Sequence, residues 1–401
     1  MKTMLGYEEA LKRVIEHCRP VGVETIELGA ASGRVVAEPI IARTQQPPFD
    51  GSAMDGYAVI ASEVKPGTAL KLIGASQAGA GFDGQVISGT CVRIFTGAPL
   101  PKGADAVIMQ EVTKAKGEMI TFETEARLNQ NVRPAGQDFA NGEQLLASGT
   151  RLSPAALALI AAGNVPEISV YKQPTIGILA TGDELVAPGQ ELKSGQIVAS
   201  NGFALGALFA PYASEVIDLG AASDNETNLH AAMKAAIDGP SNIIISTGGA
   251  SVGDHDLVLP GLKSLGLDVD FWKIAIRPGK PVIFATYEQK LWFALPGNPV
   301  SAYVVAISIV LPAIRAILGY KDPRGPIMRL PLATALPANG ARRHFMRCSI
   351  ETENEQTMAR PIMQTDSSHL SSLAAANGLL VIKENTEEIK AGTIMPVIPL
   401  P

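Results

Sequence analysis

The sequence predicts a multi-domain protein that combines a central, doubly wound α/β domain built on a parallel sheet with mostly-β modules. Its 401 residues are enough for about two to four domains. Between residues 174 and 320 the predicted strands alternate with predicted helices, which is typical of βαβ units. On both sides of that segment the chain runs in short β segments, and its 39 glycines and 28 prolines fit many short connections.

The N-terminal part predicts two helices and a set of short strands. Residues 7–19 have the apolar spacing of an amphipathic helix. Residues 151–163 predict a second helix, with Ser153 as its N-cap and Pro154 in its first turn. The predicted strands between the two helices alternate with Gly-rich turns, as in a small β module, and cover residues 69–73, 91–95, 106–110 and 119–122.

Strands and helices alternate most clearly after residue 174. The predicted strands are TIGILAT, SEVIDLG, NIIIST, PVIFAT and LWFAL. The predicted helices are SNGFALGALFA, DNETNLHAAMKAAID, DHDLVLPGLKSLG and PVSAYVVAISIVLPAIRAILG. The first helix begins at Ser200 or Asn201, and the second is capped by Asp224 or Asn225. This pattern favours a parallel sheet covered on both faces.

The element pattern divides the chain into four predicted domains. The first is discontinuous, because the two N-terminal helices could pack together. The last follows a linker at 321–325 and includes a short helix near 370–376. The predicted domains are an elongated α+β domain (1–47 with 138–172), a small β module (48–137), the α/β domain (173–323) and a C-terminal β-barrel (324–401), for which a sandwich is the alternative.

Composition excludes several classes of partner. The formal charge of −6 gives no basic face for nucleic acid, and 5% aromatic residues argue against stacking platforms for single strands. The longest apolar stretch, Ala302–Leu318, is interrupted by Ser308, Pro312 and Arg315, which favours a buried helix over a membrane span. The three scattered cysteines fit a reducing compartment. We therefore expect a cytoplasmic protein that binds neither nucleic acid nor membrane.

Three loops follow the carboxyl ends of predicted parallel strands, which is where ligands bind in open α/β sheets. The loop after NIIIST is rich in glycine, and Gly248, Gly249 and Gly253 could turn backbone N–H groups toward an anion. An ordinary glycine turn is the alternative. The other two loops begin at Gly182 and Pro296.

Charged residues of both signs occur near these loops. Lys273, Arg277 and Lys280 supply cations without an acidic neighbour in the segment, which favours binding of an anionic ligand. The acidic residues could hold Mg²⁺ together with phosphate oxygens, or could cap helices and form Asx-turns. They are Asp183, Glu184, Asp254 and Asp256. Two further loops, at 47–58 and 133–138, carry aspartates and are turns when taken alone.

Eight motifs in order give the chain a resemblance to a known family. They are PPFDGSAMDGYAV, TGAPLPKGADAV, RPAGQD, ATGDELV, SNG, STGGASVGDHD, KIAIRPGKP and LPGNPVSA. Together they resemble the molybdopterin molybdenumtransferase family, which includes the C-terminal domain of gephyrin. The resemblance implies a molybdopterin-binding type of α/β domain. It also implies transfer of molybdenum from molybdate to adenylylated molybdopterin with release of AMP, in the presence of Mg²⁺.

The resemblance also implies site residues and partners. The residues that match functional acids of the family are Asp55, Asp138, Glu184, Asp224 and Asp256, of which Glu184 and Asp256 would hold the metal. The residues that match substrate-binding positions are Thr96, Gly248, Gly249, Ser251, Gly253, Lys273, Arg277, Lys280, Pro296 and Pro299. The family further implies a homodimer with its site in the cleft between subunits, and a molybdopterin adenylyltransferase as upstream partner.

Two alternative functions are weighed against this one. Molybdopterin adenylyltransferases have Gly-Gly-Thr-Gly after the equivalent strand, whereas this chain has Gly-Gly-Ala-Ser-Val-Gly. A non-enzymatic scaffold of the gephyrin kind would not need the acidic and cationic residues of a site. We therefore expect the transferase.

Overall fold

The computed structural model describes residues 4–249 and 257–401. The chain divides into two compact units. The first contains Met1–Glu24, Gly149–Arg151 and Val170–Pro401, and the second contains Thr25–Ser148 and Leu152–Ser169. The second unit is therefore inserted into the first as two stretches, separated by Gly149–Arg151.

Both predicted N-terminal helices are present. Ser153 caps the second, because its Oγ accepts a hydrogen bond of 3.2 Å from the backbone N–H of Ala156. The elements of this part are α1 (Tyr7–His17), β1 (Val23–Glu27), β2 (Ile40–Ile41), β3 (Gly51–Ser52), β4 (Gly56–Val59), β5 (Ala69–Ser76), β6 (Thr90–Ile94), β7 (Ala106–Met109), β8 (Thr113–Lys116), β9 (Met119–Phe122), β10 (Val132–Arg133), β11 (Gln144–Leu146), α2 (Pro154–Ala162) and β12 (Glu167–Tyr171).

The second unit is built on a sheet with the strand order β7-β4-β6-β5-β9-β8. The four β runs predicted from sequence are its strands β5, β6, β7 and β9. Its two faces are both buried, since Tyr57 packs into one core with Ile108 and Phe122, whereas Ala58 packs into another with Val92. The short pairs β3–β10 and β2–β11 extend the same unit.

The first unit contains the α/β domain that the sequence predicts. Its elements are β13 (Thr175–Thr181), β14 (Leu185–Val186), β15 (Ile197–Val198), α3 (Asn201–Phe209), β16 (Glu215–Ala222), α4 (Glu226–Asp238), β17 (Ile243–Thr247), α5 (Val258–Ser264), β18 (Asp268–Lys273), β19 (Ile276–Arg277), β20 (Pro281–Tyr287), β21 (Lys290–Leu295), α6 (Pro299–Val305), a π-helical turn (Ala306–Val310) and α7 (Leu311–Ile317).

The sheet of this domain is mixed, which corrects the prediction of a parallel sheet. Its order is β16-β13-β17-β21-β20-β18, and the first four strands are parallel. Strand β20 is antiparallel to both β21 and β18. The physical reason is the turn at 288–289 between β20 and β21, since so short a connection joins only antiparallel strands.

Helices lie on both faces of the sheet, as predicted. Leu179 of β13 packs in a core with Leu229 of α4 and Leu262 of α5. The preceding residue, Ile178, points to the opposite face, where it lines a cavity with residues of α3. The apolar helix Pro299–Ile317 is long enough to cross a membrane, but 83% of it is buried inside the protein, so it is a core helix, as predicted.

The C-terminal part forms a further sheet. Its elements are β22 (Met328–Pro331), β23 (Arg343–Glu353), β24 (Gln356–Pro361), α8 (Leu370–Ala374), β25 (Gly378–Ile382) and β26 (Ile394–Pro399). The order is β19-β23-β25-β26-β22, with β24 paired to β23. Leu332, just after β22, also bridges to Ala359 of β24. The predicted short helix near residue 370 is present as α8.

Candidate active site

A cavity of about 590 Å³ lies at the carboxyl ends of the parallel strands. The three loops singled out from sequence all contribute to it, as expected for the edge of such a sheet. Residues that line it, with predicted site residues first, are Glu184, Asp224, Gly248, Gly249, Pro296, Pro299, Thr181, Asn201, Gly297, Asn298, Ser368 and Leu370, among others.

Gly248 and Gly249 shape the backbone at the centre of the cavity. Gly248 has a φ of +95°, and a Cβ there would lie 2.3 Å from the carbonyl oxygen of Thr181. Gly249 has a φ of +60°, and its Cβ would lie 2.6 Å from Val258. Only glycine fits such positions without strain. The loop therefore packs directly on the end of β13.

Hydrogen bonds hold the loop that contains Pro296 and Pro299 against its neighbours. The Asn201 side chain donates to the carbonyl oxygen of Gly297 at 2.8 Å, which ties the start of α3 to this loop. The Asn298 amide donates to Ser367 Oγ at 3.0 Å. The loop thus connects α3 with the segment before α8.

Two described carboxylates, those of Glu184 and Asp224, line the cavity and are exposed. Asn225 is the N-cap of α4, with its Oδ1 accepting from the N–H groups of Thr227 and Asn228, so Asp224 is not needed for capping. Asp183 has a structural role, because its Oδ1 accepts from the backbone N–H of Asp224 at 3.1 Å.

The three predicted cations lie at the end of β18, in β19 and in the short turn that follows β19. Lys273 ends β18, and its Nζ lies 3.8 Å above the ring of Trp272. Arg277 lies in β19, and Lys280 immediately precedes Pro281, which lines the cavity. Arg277 and Lys280 are exposed, and no described carboxylate pairs with any of the three. Their charges are therefore not neutralised within the described part of the chain.

Ser251, Gly253 and Asp256 lie outside the described residues, as do Asp254 and His255. Of the two residues predicted to hold the metal, Glu184 and Asp256, the structure therefore describes only Glu184.

Within the second unit, Asp55 and Thr96 are in contact. The Asp55 carboxylate accepts from the backbone N–H of Thr96 at 2.7 Å and from its hydroxyl at 2.9 Å. These hydrogen bonds lower the pKa of Asp55 below its ordinary value, so the side chain is an anion near neutral pH. These hydrogen bonds thereby join the motif that contains Asp55 to the motif that contains Thr96, although the two are far apart in sequence.

Asp138 lies on a second loop of the same unit and is exposed. Its backbone N–H donates to the carbonyl oxygen of Gln46 at 2.9 Å, and the N–H of Gly136 donates to that of Pro47. Asp50 accepts from the N–H of Ala135 at 2.8 Å. The loops at 47–58 and 133–138 therefore pack on each other, with the Asp138 side chain left free of described partners.

Sequence reasoning missed the contribution of the C-terminal part. Arg347 is only 4% exposed and donates to the carbonyl oxygens of Gln364, Asp366 and His369 and to Ser372 Oγ. The segment it holds supplies Ser368 and Leu370 to the cavity. No local signal marks Arg347, since its role depends on contacts formed only by folding.

The donor chemistry of the cavity fits Mg²⁺. This ion takes one or two carboxylates and completes its shell with water and phosphate oxygens, and Glu184 and Asp224 line the same cavity. Among the described residues no cluster of three or more His, Cys, Asp or Glu side chains could enclose a metal. A site that shares its ion with a phosphate-bearing ligand is consistent with both observations.

The sequence matches three family descriptions in succession. Residues 5–163 match "MoeA N-terminal region (domain I and II)", residues 177–316 match "Probable molybdopterin binding domain", and residues 329–400 match "MoeA C-terminal region (domain IV)". The chain is also 38% identical to a protein of Haemophilus influenzae named molybdopterin molybdenumtransferase, over 99% of this chain and 98% of that one. The chain belongs to the molybdopterin molybdenumtransferase family.

Further members of the family support the same assignment. A Nostoc protein of the same name is 34% identical over 94% of this chain and 89% of its own length. The crystal structure of the molybdopterin biosynthesis moeA protein from Pyrococcus horikoshii OT3 has a TM-score of 0.86 and 30% identity, and the match covers 98% of this chain and 99% of that one. The resemblance found in the motifs therefore extends over the whole chain and its fold.

Proposed function

We propose that this protein transfers molybdenum from molybdate to adenylylated molybdopterin and releases AMP. The observation that carries the proposal is the full-length similarity to curated molybdopterin molybdenumtransferases. The cavity supports it, because Gly248 and Gly249 let the backbone approach phosphates and the carboxylates of Glu184 and Asp224 could hold a cation between them and an anionic ligand. The unpaired cation Lys280 immediately precedes Pro281, which lines the cavity.

Each group of residues has a role in this proposal. Gly248 and Gly249 allow the backbone to approach the phosphates closely. Lys273, Arg277 and Lys280 attract the phosphates and molybdate, and charge-assisted hydrogen bonds contribute about 1.5–3 kcal/mol each. The other substrate-binding residues would be Thr96, Ser251, Gly253, Pro296 and Pro299. We assign Asp55, Asp138, Glu184, Asp224 and Asp256 to the acidic positions that orient water or metal.

Mg²⁺ would be held by Glu184 and Asp256 and would offset charge on the phosphate oxygens; Asp224 lines the same cavity as Glu184. The cysteines need not take part, because the dithiolene sulfurs that accept the metal belong to the pterin. Cys18 and Cys348 are buried, and burial raises the pKa of each thiol to about 12.

We extend the proposal to assembly and location. The protein would act as a cytoplasmic homodimer with its site in the cleft between subunits, and would receive its substrate from a molybdopterin adenylyltransferase. We also propose that the chain has the four domains predicted from the sequence and that the last of them is a β-barrel. The bridge from Leu332 to Ala359 supports a closed set of strands.

The test uses purified protein with adenylylated molybdopterin, Mg²⁺ and molybdate, and measures AMP. We expect release that depends on molybdate and is lost in Glu184→Ala. Glu191→Ala is the matched control, because Glu191 is exposed on the same stretch but does not line the cavity. Full turnover in Glu184→Ala would refute the carboxylate assignment. Absence of AMP from the unchanged protein, with an adenylylated product from ATP and molybdopterin, would instead identify an adenylyltransferase.

A further inference from the structure

A second cavity, of about 570 Å³, adjoins the candidate active site within the same unit. It shares Ala180, Leu185, Ala199 and Gly202 with the first cavity, so the two have a common wall. None of the described residues that the sequence singles out as part of the site lines it. Its position next to a cavity suited to phosphates raises the question of which part of the substrate it could hold.

Two glycines of α3 keep this cavity open. Its floor is formed by β13 and β16, on which Ile178 and Asp218 are register partners and therefore lie on the same face. Gly202 and Gly206, one helical turn apart, line the opposite side, and a Cβ at either would meet nothing within 4 Å. Glycine destabilises a helix interior relative to alanine. No close contact in this part of the structure requires glycine at these two positions. Packing therefore does not explain the open space beside them.

The walls have the chemistry of a pocket for a flat heterocycle. Ile178, Leu185 and Val216 provide apolar surface, and the ring of Phe203, which is 68% exposed, provides a face for stacking. Asp218 supplies a carboxylate. One of its oxygens accepts from the backbone N–H of Gly220 at 2.9 Å, which fixes the group and leaves the remaining acceptor sites free of described partners.

The carboxylate distinguishes between the two heterocycles of the substrate. A pterin presents two adjacent donors, the ring N3–H and the 2-amino group, which pair with the two oxygens of a carboxylate. Adenine presents a donor next to an acceptor on its pairing edge, and a carboxylate oxygen facing that acceptor is unfavourable. We propose that the second cavity is the pterin subsite, with Asp218 pairing to the aminopyrimidinone edge and Phe203 stacking on the ring. This inference rests on the proposed function, since it takes molybdopterin as the substrate.

The experiment measures binding of free pterin (2-amino-4-oxopteridine) to the full chain by its fluorescence, with adenosine as the second probe. Asp218→Asn keeps an oxygen for the Gly220 amide but loses the charge, and should weaken pterin binding about tenfold to a hundredfold. Asp322→Asn is the matched control, because Asp322 makes the same backbone bond two residues along, to Arg324 N–H at 3.0 Å, but lines neither cavity. Gly206→Leu should abolish pterin binding by filling the space.

Each outcome has one meaning. Equal pterin binding by the unchanged protein, Asp218→Asn and Gly206→Leu would overturn the subsite. So would a loss of adenosine binding in Asp218→Asn as large as the loss of pterin binding. Transferase assays separate this from the proposed function: if the unchanged protein releases AMP with molybdate and both variants match it in KM, only the subsite fails. If the unchanged protein has no such activity, the proposed function fails, whereas the pterin titration still reports on the cavity.

Discussion

At the scale of single residues, Gly248 shows how a loop becomes part of a site. Its φ of +95° is one constraint, and the 2.3 Å approach of a Cβ to the Thr181 carbonyl is another. The first constraint alone is met by many turn glycines. The second occurs here because the loop after β17 packs on the end of β13, which brings its backbone to the cavity wall, where the Gly248 N–H donates to the carbonyl oxygen of Leu295 at 3.2 Å.

Alanine substitution separates these two constraints. Gly266 has a φ of +83° but open space around its Cβ. We expect Gly266→Ala to lower the free energy of unfolding by about 1–2 kcal/mol through backbone strain alone. Gly248→Ala should cost a further ~1–3 kcal/mol because the added methyl also overlaps backbone. Urea unfolding of both variants measures the difference, and equal costs would contradict the close approach.

Residue types also set the limit of what the sequence revealed about the site. Glycines and prolines mark the loops by their conformational needs, so Gly248, Gly249 and Pro296 could be placed in advance. The resemblance supplied roles for Lys273, Arg277 and Lys280, but their local sequence does not show that Arg277 joins the C-terminal sheet. Arg347 carries no local signal at all, because its four hydrogen bonds join segments that only the fold brings together.

At the scale of elements, helix α4 separates capping from chemistry. Asn225 Oδ1 accepts from two backbone N–H groups of the first turn, whereas Asp224 lines the cavity. Asn225→Ala should therefore lower the free energy of unfolding by about 1 kcal/mol and leave turnover near normal. Asp224→Asn should leave stability within about 0.5 kcal/mol and reduce AMP release. Thermal unfolding and the transferase assay on both variants check this, and the reverse pattern would assign the cap to Asp224.

The segment before α8 depends on one buried side chain. Replacing Arg347 with Met leaves the carbonyl oxygens of Gln364 and Asp366 without this donor, whereas that of His369 keeps its hydrogen bond from Ser372 Oγ. Each group left unsatisfied on burial costs about 1–3 kcal/mol. We expect at least about 3 kcal/mol of destabilisation, together with faster hydrogen exchange in residues 364–372. Arg360→Ala is the control, because the Arg360 side chain is 38% exposed and its ion pairs within the described residues are with Glu351 and Glu353. Unchanged exchange in the segment would argue against this role.

Strand direction was the element-scale feature that pattern reading did not resolve. PVIFAT and LWFAL have the continuous apolar character of buried strands, which fits the parallel strands of a doubly wound sheet. Both strands are central in the sheet and buried on both faces, whichever direction they run. Composition therefore cannot distinguish parallel from antiparallel pairing. The two-residue turn between them is the feature that decides, and strand boundaries must be known before its length can be read.

At the scale of the whole molecule, stability in mild acid should depend on His344. Burial lowers the pKa of this side chain to about 4, and the guanidinium groups of Arg277, Arg342 and Arg347 act in the same direction. As the pH falls, the unfolded chain binds a proton at this histidine first, near pH 6.5. Above that pH, His344 therefore does not lower the free energy of unfolding. The cost grows as pH falls toward 4 and reaches about 3 kcal/mol.

Denaturant titrations from pH 4 to pH 7 measure this effect. The unchanged protein should lose stability steadily below about pH 6.5, and His344→Gln should show a shallower slope over the same range. Parallel slopes for the two proteins would mean that His344 is protonated in the folded state.

The path of the chain through its two units has a practical consequence. Where the inserted unit begins and ends, the two stretches of chain run side by side: the carbonyl oxygen of Gly22 accepts from Lys172 N–H at 3.0 Å, and that of Pro166 accepts from Leu28 N–H at 2.8 Å. Residues 25–169, which comprise the second unit and the three residues Gly149–Arg151 of the first, could therefore be excised as a cassette and the cut ends rejoined by a tight linker, or new termini could be opened there by circular permutation.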